Sequence, residues 1–265
     1  MMDRFSNGSL DRFGFSHARG SVHTARTMML RELRQLLDAV PASAGSGTDY
    51  VRAIAADNCL GKRSHRTRVL TQRHLAALYT LNPDITLFRL LRYFWQRDPD
   101  GRPLIAALCA YARDPLFRDT VTFTLRLSEG QRFPREALEE LLEKKYPCRF
   151  SKATLVSTTQ NLASSWAQAG HLCGRTMKHR SRARASAGST AYALILGYLT
   201  GERGESLFQT EYAKLLDCPF EKAVELAETA SRKGWIVFKR VGNVIEVLFP
   251  SLLTQQEMEW IREQS

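Results

Sequence analysis

Residues 191–199 read AYALILGYL, a run of nine residues without a charged side chain. A second apolar run, LIAALCAYA, occupies residues 104–112. A membrane-spanning helix needs about 20 apolar residues, so both runs are too short to cross a bilayer. They predict two helices buried at the centre of a helical core, and no transmembrane span is expected.

The sequence before residue 191 has the periodicity of amphipathic helices. Apolar residues recur at helical spacing in Val22–Val40, in a short segment beginning at Tyr50, and from Thr71 to Leu127. Prolines fall between these segments or at their starts, where helices tolerate them: Pro83, Pro99, Pro103 and Pro115. Further helices are predicted after Pro134 and Ser151, and strand-like alternation is absent before residue 235. The pattern predicts a mainly α protein built as an antiparallel helical bundle.

Residues 206–250 have the layout of a winged helix-turn-helix, in which two short helices precede a two-stranded hairpin. The expected helices and strands are Leu207–Leu216, Phe220–Lys233, Trp235–Arg240 and Val244–Phe249. A last helix is predicted from the capping-box spacing of Thr254 and Glu257. We place a domain boundary near residue 200, with a helical bundle in 1–200 and a winged-helix-like domain in 201–265.

Positive charge is concentrated in two windows of the sequence. The formal net charge is +11, yet residues 58–83 and 149–201 contain no aspartate or glutamate. The two windows hold twelve lysines and arginines, so the rest of the chain sums to −1. Binding of a polyanion to such a surface releases condensed counterions from its phosphates, and this release favours association. The charge pattern therefore favours nucleic acid as the ligand.

Candidate phosphate contacts lie in both windows and on the wing. In the first window, basic side chains alternate with Ser64 and Thr67, whose hydroxyls can donate to phosphate oxygens. In the second, like charges at alternate positions repel one another and predict a mobile, solvated loop over His171–Ser189. The predicted nucleic-acid contacts are Lys62, Arg63, Arg66, Arg68, Arg175, Lys178, Arg180, Arg182, Arg184, Lys239 and Arg240.

The same residues have other interpretations. Each basic cluster can be solvated surface without a ligand, and the loop can contact an acidic partner protein. On the second helix of the winged segment, Glu221, Glu225 and Glu228 would repel phosphates, so we expect weak sequence selectivity and keep open a protein-docking role. Trp166 can serve as a stacking platform for a base or belong to the core.

Enzymatic, metal and cofactor sites have no recognisable signature in the sequence. Gly61-Lys62 lacks the upstream glycine and the following Ser or Thr of a P-loop, and the six histidines form no ligand pair at helical spacing. Carboxylates near Asp100 and Glu143 fall on helical sequence rather than on the strand expected of a nuclease. Five scattered cysteines and an N-terminus without an export signal predict reduced thiols in the cytoplasm. We expect no enzymatic centre, no cofactor and no metal.

Four stretches together resemble a known family: HTARTMML at 23–30, DNCLGKRS at 57–64, SSWAQAGHL at 164–172, and the apolar run at 191–199 leading to Gly204. They resemble BrxA-like proteins of bacterial phage-exclusion (BREX and related) gene clusters. The resemblance implies a mainly helical, cytoplasmic protein, similar in its bundle to the transcription antitermination factor NusB, that binds DNA without an enzymatic centre. Because this chain is longer than the shorter BrxA proteins, the resemblance does not extend to the winged segment or the basic loop. It supplies no functional side chains.

Charge and resemblance together predict a non-enzymatic component of an antiphage defence system. Its expected partner is double-stranded DNA, held through the phosphate backbone. Two alternatives stay open: an adaptor that assembles other phage-defence proteins, and a transcriptional regulator of its own operon. A nuclease is the least favoured interpretation. The prediction depends on basic stretches that are distant in sequence sharing one exposed surface.

Overall fold

The computed structural model describes residues 10–41, 46–242 and 244–263, which form a mainly helical structure with two small antiparallel hairpins. The helices before the first hairpin are α1 Leu30–Ala39, α2 Gly47–Ala55, α3 His65–Tyr79, α4 Thr86–Arg97, α5 Arg102–Arg113, α6 Pro115–Asp119, α7 Val121–Leu125, α8 Arg135–Lys145 and α9 Lys152–Ala169. The remaining elements are β1 Leu172–Cys173, β2 His179–Arg180, α10 Ala187–Leu199, α11 Glu211–Lys214, α12 Phe220–Arg232, β3 Val237–Val241, β4 Val244–Leu248 and α13 Gln255–Arg262.

The two apolar runs form the centre of the molecule, which confirms that they are buried helices. Every residue of Leu104–Ala112 in α5 is buried, and α10 is buried along almost its whole length. Helix α10 packs against α4, α5, α11 and α12. At its start, the Gly188 N–H donates to Asp98 Oδ2 at 2.6 Å, and a Cβ on Gly188 would lie 2.5 Å from that oxygen. Glycine is therefore required where α10 meets the end of α4.

Two predicted helices are interrupted by contacts that the local pattern does not encode. In place of one helix over Val22–Val40, a 3₁₀ turn covers Val22–Thr24 and α1 begins only at Leu30. The reason lies in α9, because Ser165 Oγ accepts from the Met28 N–H at 2.8 Å and Gln168 Oε1 accepts from the Leu30 N–H at 3.0 Å. These tertiary hydrogen bonds replace helical ones before α1, where Met29 adopts a left-handed conformation with φ 55°.

The helix predicted over Leu116–Leu127 is likewise divided into α6 and α7. The division falls at Thr120, whose hydroxyl accepts from Trp166 Nε1 at 2.9 Å.

The predicted mainly α class is confirmed. The antiparallel arrangement of the bundle and its similarity to NusB stay predictions.

The prediction of a mobile loop over His171–Ser189 is wrong for most of its length. Strands β1 and β2 pair with Leu172 opposite Arg180, and α10 begins at Ala187. The neighbouring 128–133 segment supplies further backbone partners, since the Phe133 N–H donates to Lys178 O and the Gly130 N–H to Arg180 O, both at 2.8 Å. Backbone hydrogen bonds thus outweigh the like-charge repulsion that the sequence suggested.

The C-terminal segment contains the expected hairpin and last helix. Strand β3 pairs with β4, and Thr254 and Glu257 form the predicted capping box at the start of α13. The helix predicted over Leu207–Leu216 is instead a 3₁₀ segment, Gly204–Gln209, followed by the short α11. Thr210 separates them, because its hydroxyl caps α11 by accepting from the Ala213 N–H at 3.1 Å.

The buried core continues across residue 200. The rings of Phe94 in α4 and Trp235 before β3 lie 6.4 Å apart, and Arg89 of α4 donates to Glu257 of α13 at 2.6 Å. The domain boundary near residue 200 stays a prediction. No helix within the described ranges is long and apolar enough to cross a membrane.

Candidate nucleic-acid interface

The turn of the β1–β2 hairpin presents basic residues at the surface. Gly174 opens the turn with φ +95°, and a Cβ at this position would lie 2.1 Å from Met177 O. Arg175 is exposed, and Lys178 folds back so that its Nζ donates to Arg175 O at 3.3 Å. A tight glycine turn therefore fixes the backbone that carries both cations.

A groove of about 500 Å³ lies between this turn, the start of α8 and the middle of α9. Four cationic residues from three segments line it, namely Arg132, Arg135, Arg175 and Lys178. Glu136 contributes the one carboxylate among the lining residues, and Gln160 and Ser164 contribute an amide and a hydroxyl from α9. We call this site the hairpin groove.

The hairpin groove has an excess of positive charge. Within the described part of the chain, Arg132, Arg175 and Lys178 form no ion pair. Arg135 is partly neutralised, since its guanidinium lies 3.4 Å from Glu139 and 3.6 Å from Glu136. Three uncompensated cations on one concave surface attract anions more strongly than the same charges would on a flat one.

Arg180 is not available to a ligand, although it lies in the predicted basic cluster. Its side chain is 5% exposed, and both of its Nη atoms donate to Asp217, at 2.8 and 2.6 Å. Arg182 is exposed but lies 3.1 Å from Glu129, whereas Arg184 is exposed with no ion pair in the part of the chain that is described. Carboxylates from outside the second window therefore neutralise Arg180 and Arg182.

In the first window the predicted contacts divide into two groups. Lys62 Nζ lies 2.9 Å from Glu32 of α1, and Arg68 Nη1 donates to Ala55 O at 3.2 Å. Arg63 and Arg66 are exposed and have no ion pair among the described residues. Ser64 is occupied as the cap of α3, since its hydroxyl accepts from the Thr67 N–H at 3.2 Å.

The two windows are anchored to different parts of the fold. Lys62 is tied to α1, and the basic hairpin is tied to residues 128–133 and to Asp217. A single surface formed by both windows stays a prediction.

On the wing, both predicted contacts are engaged within the hairpin. Lys239 lies 3.2 Å from Glu246 on the opposite strand, and Arg240 Nε donates to Gly242 O at 3.3 Å. Two exposed apolar side chains flank the turn, since Val241 is 80% exposed and Val244 is 72% exposed. On α12 the three glutamates are exposed: Glu221, Glu225 and Glu228.

Trp166 belongs to the core and cannot stack on an incoming base. Its side chain is fully buried, and its ring stacks on Phe117 with centroids 4.3 Å apart. Ser164, two residues earlier, is the member of this stretch that lines the hairpin groove.

Ser165, His23 and Asp114 form a buried polar cluster that the sequence did not reveal. His23 Nε2 lies 3.0 Å from Ser165 Oγ, and His23 Nδ1 lies 3.1 Å from Asp114 Oδ1. Burial raises the pKa of the Asp114 carboxyl, but the His23 ring and the Phe117 N–H outweigh this effect and lower the pKa to about 2.

This cluster has the order of a serine–histidine–aspartate triad but not its accessibility. Ser165 is fully buried, and its hydroxyl donates to Asn161 O at 2.8 Å. A nucleophile must reach its substrate, so the geometry supports a structural role. It joins the segment at 23–30 to α9.

The sequence reasoning also missed Arg132, Arg135 and Gln160 as lining residues of the hairpin groove. Both arginines lie outside the acid-free windows, since Glu129 and Glu136 are close to them in sequence. The signal that could have found them is the sequence QRFPRE at 131–136, where two arginines flank the start of a predicted helix.

No group of three or more His, Cys, Asp or Glu residues that could hold a metal ion occurs in the ranges that the structure covers. No protein-family model matches the sequence, and no curated protein matches it at a significant level.

Proposed function

We propose that the protein binds double-stranded DNA through the phosphate backbone, without an enzymatic centre. The observation that carries the proposal is the hairpin groove, where Arg132, Arg175 and Lys178 meet without carboxylate partners among the described residues. The net charge of +11 adds long-range attraction. Arg63 and Arg66 form a second, smaller candidate contact at the start of α3.

Backbone contact predicts a steep dependence of affinity on salt. Each phosphate neutralised by a lysine or arginine contributes about −0.9 to the slope of log K against log salt concentration. Because arginine and lysine contacts to phosphate carry no sequence information, affinity for unrelated duplexes of equal length is expected to be similar. The exposed glutamates of α12 favour this interpretation over base readout by that helix.

A fluorescence anisotropy titration with duplex DNA at several salt concentrations tests the proposal. Arg175→Glu with Lys178→Glu is expected to weaken binding and to flatten the salt slope. The matched control is Arg97→Glu with Lys144→Glu, which makes the same change of charge at exposed positions at the ends of α4 and α8. An equal loss of DNA affinity in both variants would show that only the net charge of the protein matters. Absence of DNA binding by the wild type would refute the proposal.

For the cellular role, we propose a component of a bacterial antiphage defence system, on the strength of the resemblance to BrxA-like proteins. The C-terminal segment, with two helices before a hairpin, is compatible with a winged helix-turn-helix. A defence assay with a phage panel, comparing wild type with the Arg175→Glu and Lys178→Glu variant, tests the role. Full protection by a variant that no longer binds DNA would separate defence from DNA binding.

A second candidate function is that of an adaptor for other defence proteins. It is favoured by the exposed valines at the tip of β3–β4 and the exposed glutamates on α12. Co-purification of neighbouring gene products from nuclease-treated lysate, lost on Val241→Ser with Val244→Ser but kept on loss of DNA binding, would support it. A regulator of its own operon would instead protect a discrete operator in a footprinting experiment.

A further inference from the structure

We infer that the hairpin groove is a phosphomonoester site, which takes either the phosphorylated end of a nucleic-acid strand or a free nucleotide. This inference rests on the proposed affinity for nucleic acid and specifies the chemical group that the groove binds. The shape, the charge and the lining polar groups of the groove suit such a ligand, in addition to the backbone of a duplex that crosses its mouth.

The size of the groove suits a single nucleotide. Its volume of about 500 Å³ lies within the range of about 300–1,000 Å³ that is usual for pockets that bind small molecules. A duplex can lay its phosphate backbone across the mouth of the groove, whereas a terminal nucleotide or a mononucleotide can enter it. The walls come from the hairpin turn, the start of α8 and the middle of α9, so the ligand would be held on three sides.

The charge of the groove suits a terminal phosphate. A phosphomonoester carries a charge of about −1.5 to −2 at pH 7, whereas an internal phosphodiester carries only a single negative charge. Arg132, Arg175 and Lys178 converge there without ion pairs in the described structure, and arginine can donate two parallel hydrogen bonds to a phosphate. Three unpaired cations around one small volume match a dianion better than a monoanion.

The remaining lining groups suit a sugar or a base. Gln160 and Ser164 lie one helical turn apart on α9, and their side chains make no hydrogen bond within the described residues. Phe133 is buried at the groove wall, and Met177 is 58% exposed on the turn. The cations can therefore contact the phosphate of a nucleotide, while the amide, the hydroxyl and the two apolar side chains contact its sugar and base.

Anisotropy with labelled single strands of one sequence tests this inference, with the strands carrying a 5′-phosphate, a 3′-phosphate or only hydroxyl ends. We expect about tenfold tighter binding of a phosphorylated strand, because charge-assisted hydrogen bonds are gained at the added phosphate. Arg132→Gln with Arg175→Gln should abolish the preference. Arg63→Gln with Arg66→Gln should keep it, since those residues lie outside the groove.

Competition identifies the source of the phosphate. AMP that displaces the phosphorylated strand in the micromolar range would point to a free nucleotide, whereas displacement only by phosphorylated oligonucleotides would point to a strand end. Equal binding of phosphorylated and hydroxyl ends, together with no competition by AMP or inorganic phosphate, would overturn the inference. That result would not contradict the proposed binding of duplex DNA, which is measured separately by its salt dependence. If the protein binds nucleotides but no duplex DNA, the proposed function is refuted and the phosphomonoester site is retained.

Discussion

Both Nη groups of Arg180 donate hydrogen bonds to the carboxylate oxygens of Asp217, at 2.8 and 2.6 Å. The pair links strand β2 to the turn that precedes α12, across 37 residues of sequence. Asp217 also accepts from the Ala183 N–H at 2.9 Å, so one carboxylate fixes both the hairpin and the chain that follows it. Arg180 therefore attaches the basic segment 175–184 to the rest of the fold.

Replacement of Arg180 by Ala should lower the free energy of unfolding by about 3–5 kcal/mol, because Asp217 would be left as a nearly buried charge without its partner. The matched control is Arg182→Ala, whose ion pair with Glu129 is exposed and contributes only about 0–1 kcal/mol. Urea denaturation measures both. Equal destabilisation by the two variants would contradict the structural role of Arg180.

The sequence predicted elements that depend on local pattern. The apolar runs at 104–112 and 191–199 are buried helices, and the Thr254–Glu257 capping box is present, because each depends on residues a few positions apart. The partners of Lys62 and Arg180 could not be predicted, since Glu32 and Asp217 lie 30 and 37 residues away.

The hairpin groove could be predicted only in part, for the same reason. Arg175 and Lys178 stood out as cations in an acid-free window, but Arg132 joins them through the pairing of residue 132 with β2. The predicted mobile loop was wrong because the 128–133 segment supplies backbone hydrogen bonds that hold the hairpin against the repulsion of its cations. Long-range strand pairing therefore marks the limit of what the sequence could show about this site.

His171 should make the protein less stable as the pH falls. Burial lowers the pKa of His171 from 6.5 to about 4, and Nε2 donates to Leu215 O at 3.0 Å. Between pH 6.5 and 4 the unfolded chain thus binds a proton that the folded protein does not, so stability is lost as the pH falls through this window. The loss from this group is expected to be about 3 kcal/mol.

Urea denaturation at pH 7, 5.5 and 4.5 measures this effect. His171→Gln removes the titrating group and retains a side-chain donor, so its stability should fall less over the same range. An identical pH dependence in the variant would assign the loss to other groups.

Ser165 and Ser164 are neighbours with opposite expected effects. Ser165→Ala removes the acceptor of the buried Met28 N–H and the contact of His23, so the free energy of unfolding should fall by about 1–3 kcal/mol. Ser164→Ala should leave stability unchanged and weaken binding of a nucleotide in the hairpin groove. Thermal melts and AMP titrations of both variants would separate the two roles, and a reversed pattern would contradict the assignment.

Gly174→Ala should distort the turn that carries Arg175 and Lys178. A Cβ would lie 2.1 Å from Met177 O, in addition to the strain of φ +95°, which costs on the order of 1–3 kcal/mol. We expect weaker DNA binding with the helical content preserved by circular dichroism. Gly234→Ala is the control, because Gly234 has φ +72° but open space around its Cβ. DNA affinity reduced equally by the two changes would show that the turn is not the cause.

The first window offers a test of whether exposure without an ion pair predicts phosphate contact. Arg63→Gln with Arg66→Gln should reduce the magnitude of the salt slope by about 2, if each arginine contacts one phosphate. Lys62→Gln should change the slope less, because Lys62 is paired with Glu32 at 2.9 Å and is not expected to contact a phosphate. The measurement is the slope of log K against log salt concentration for one duplex. If Lys62→Gln alters the slope as much as the double arginine variant, then Lys62 leaves Glu32 to bind phosphate, and the static ion pair is a poor guide to the DNA contacts of this window.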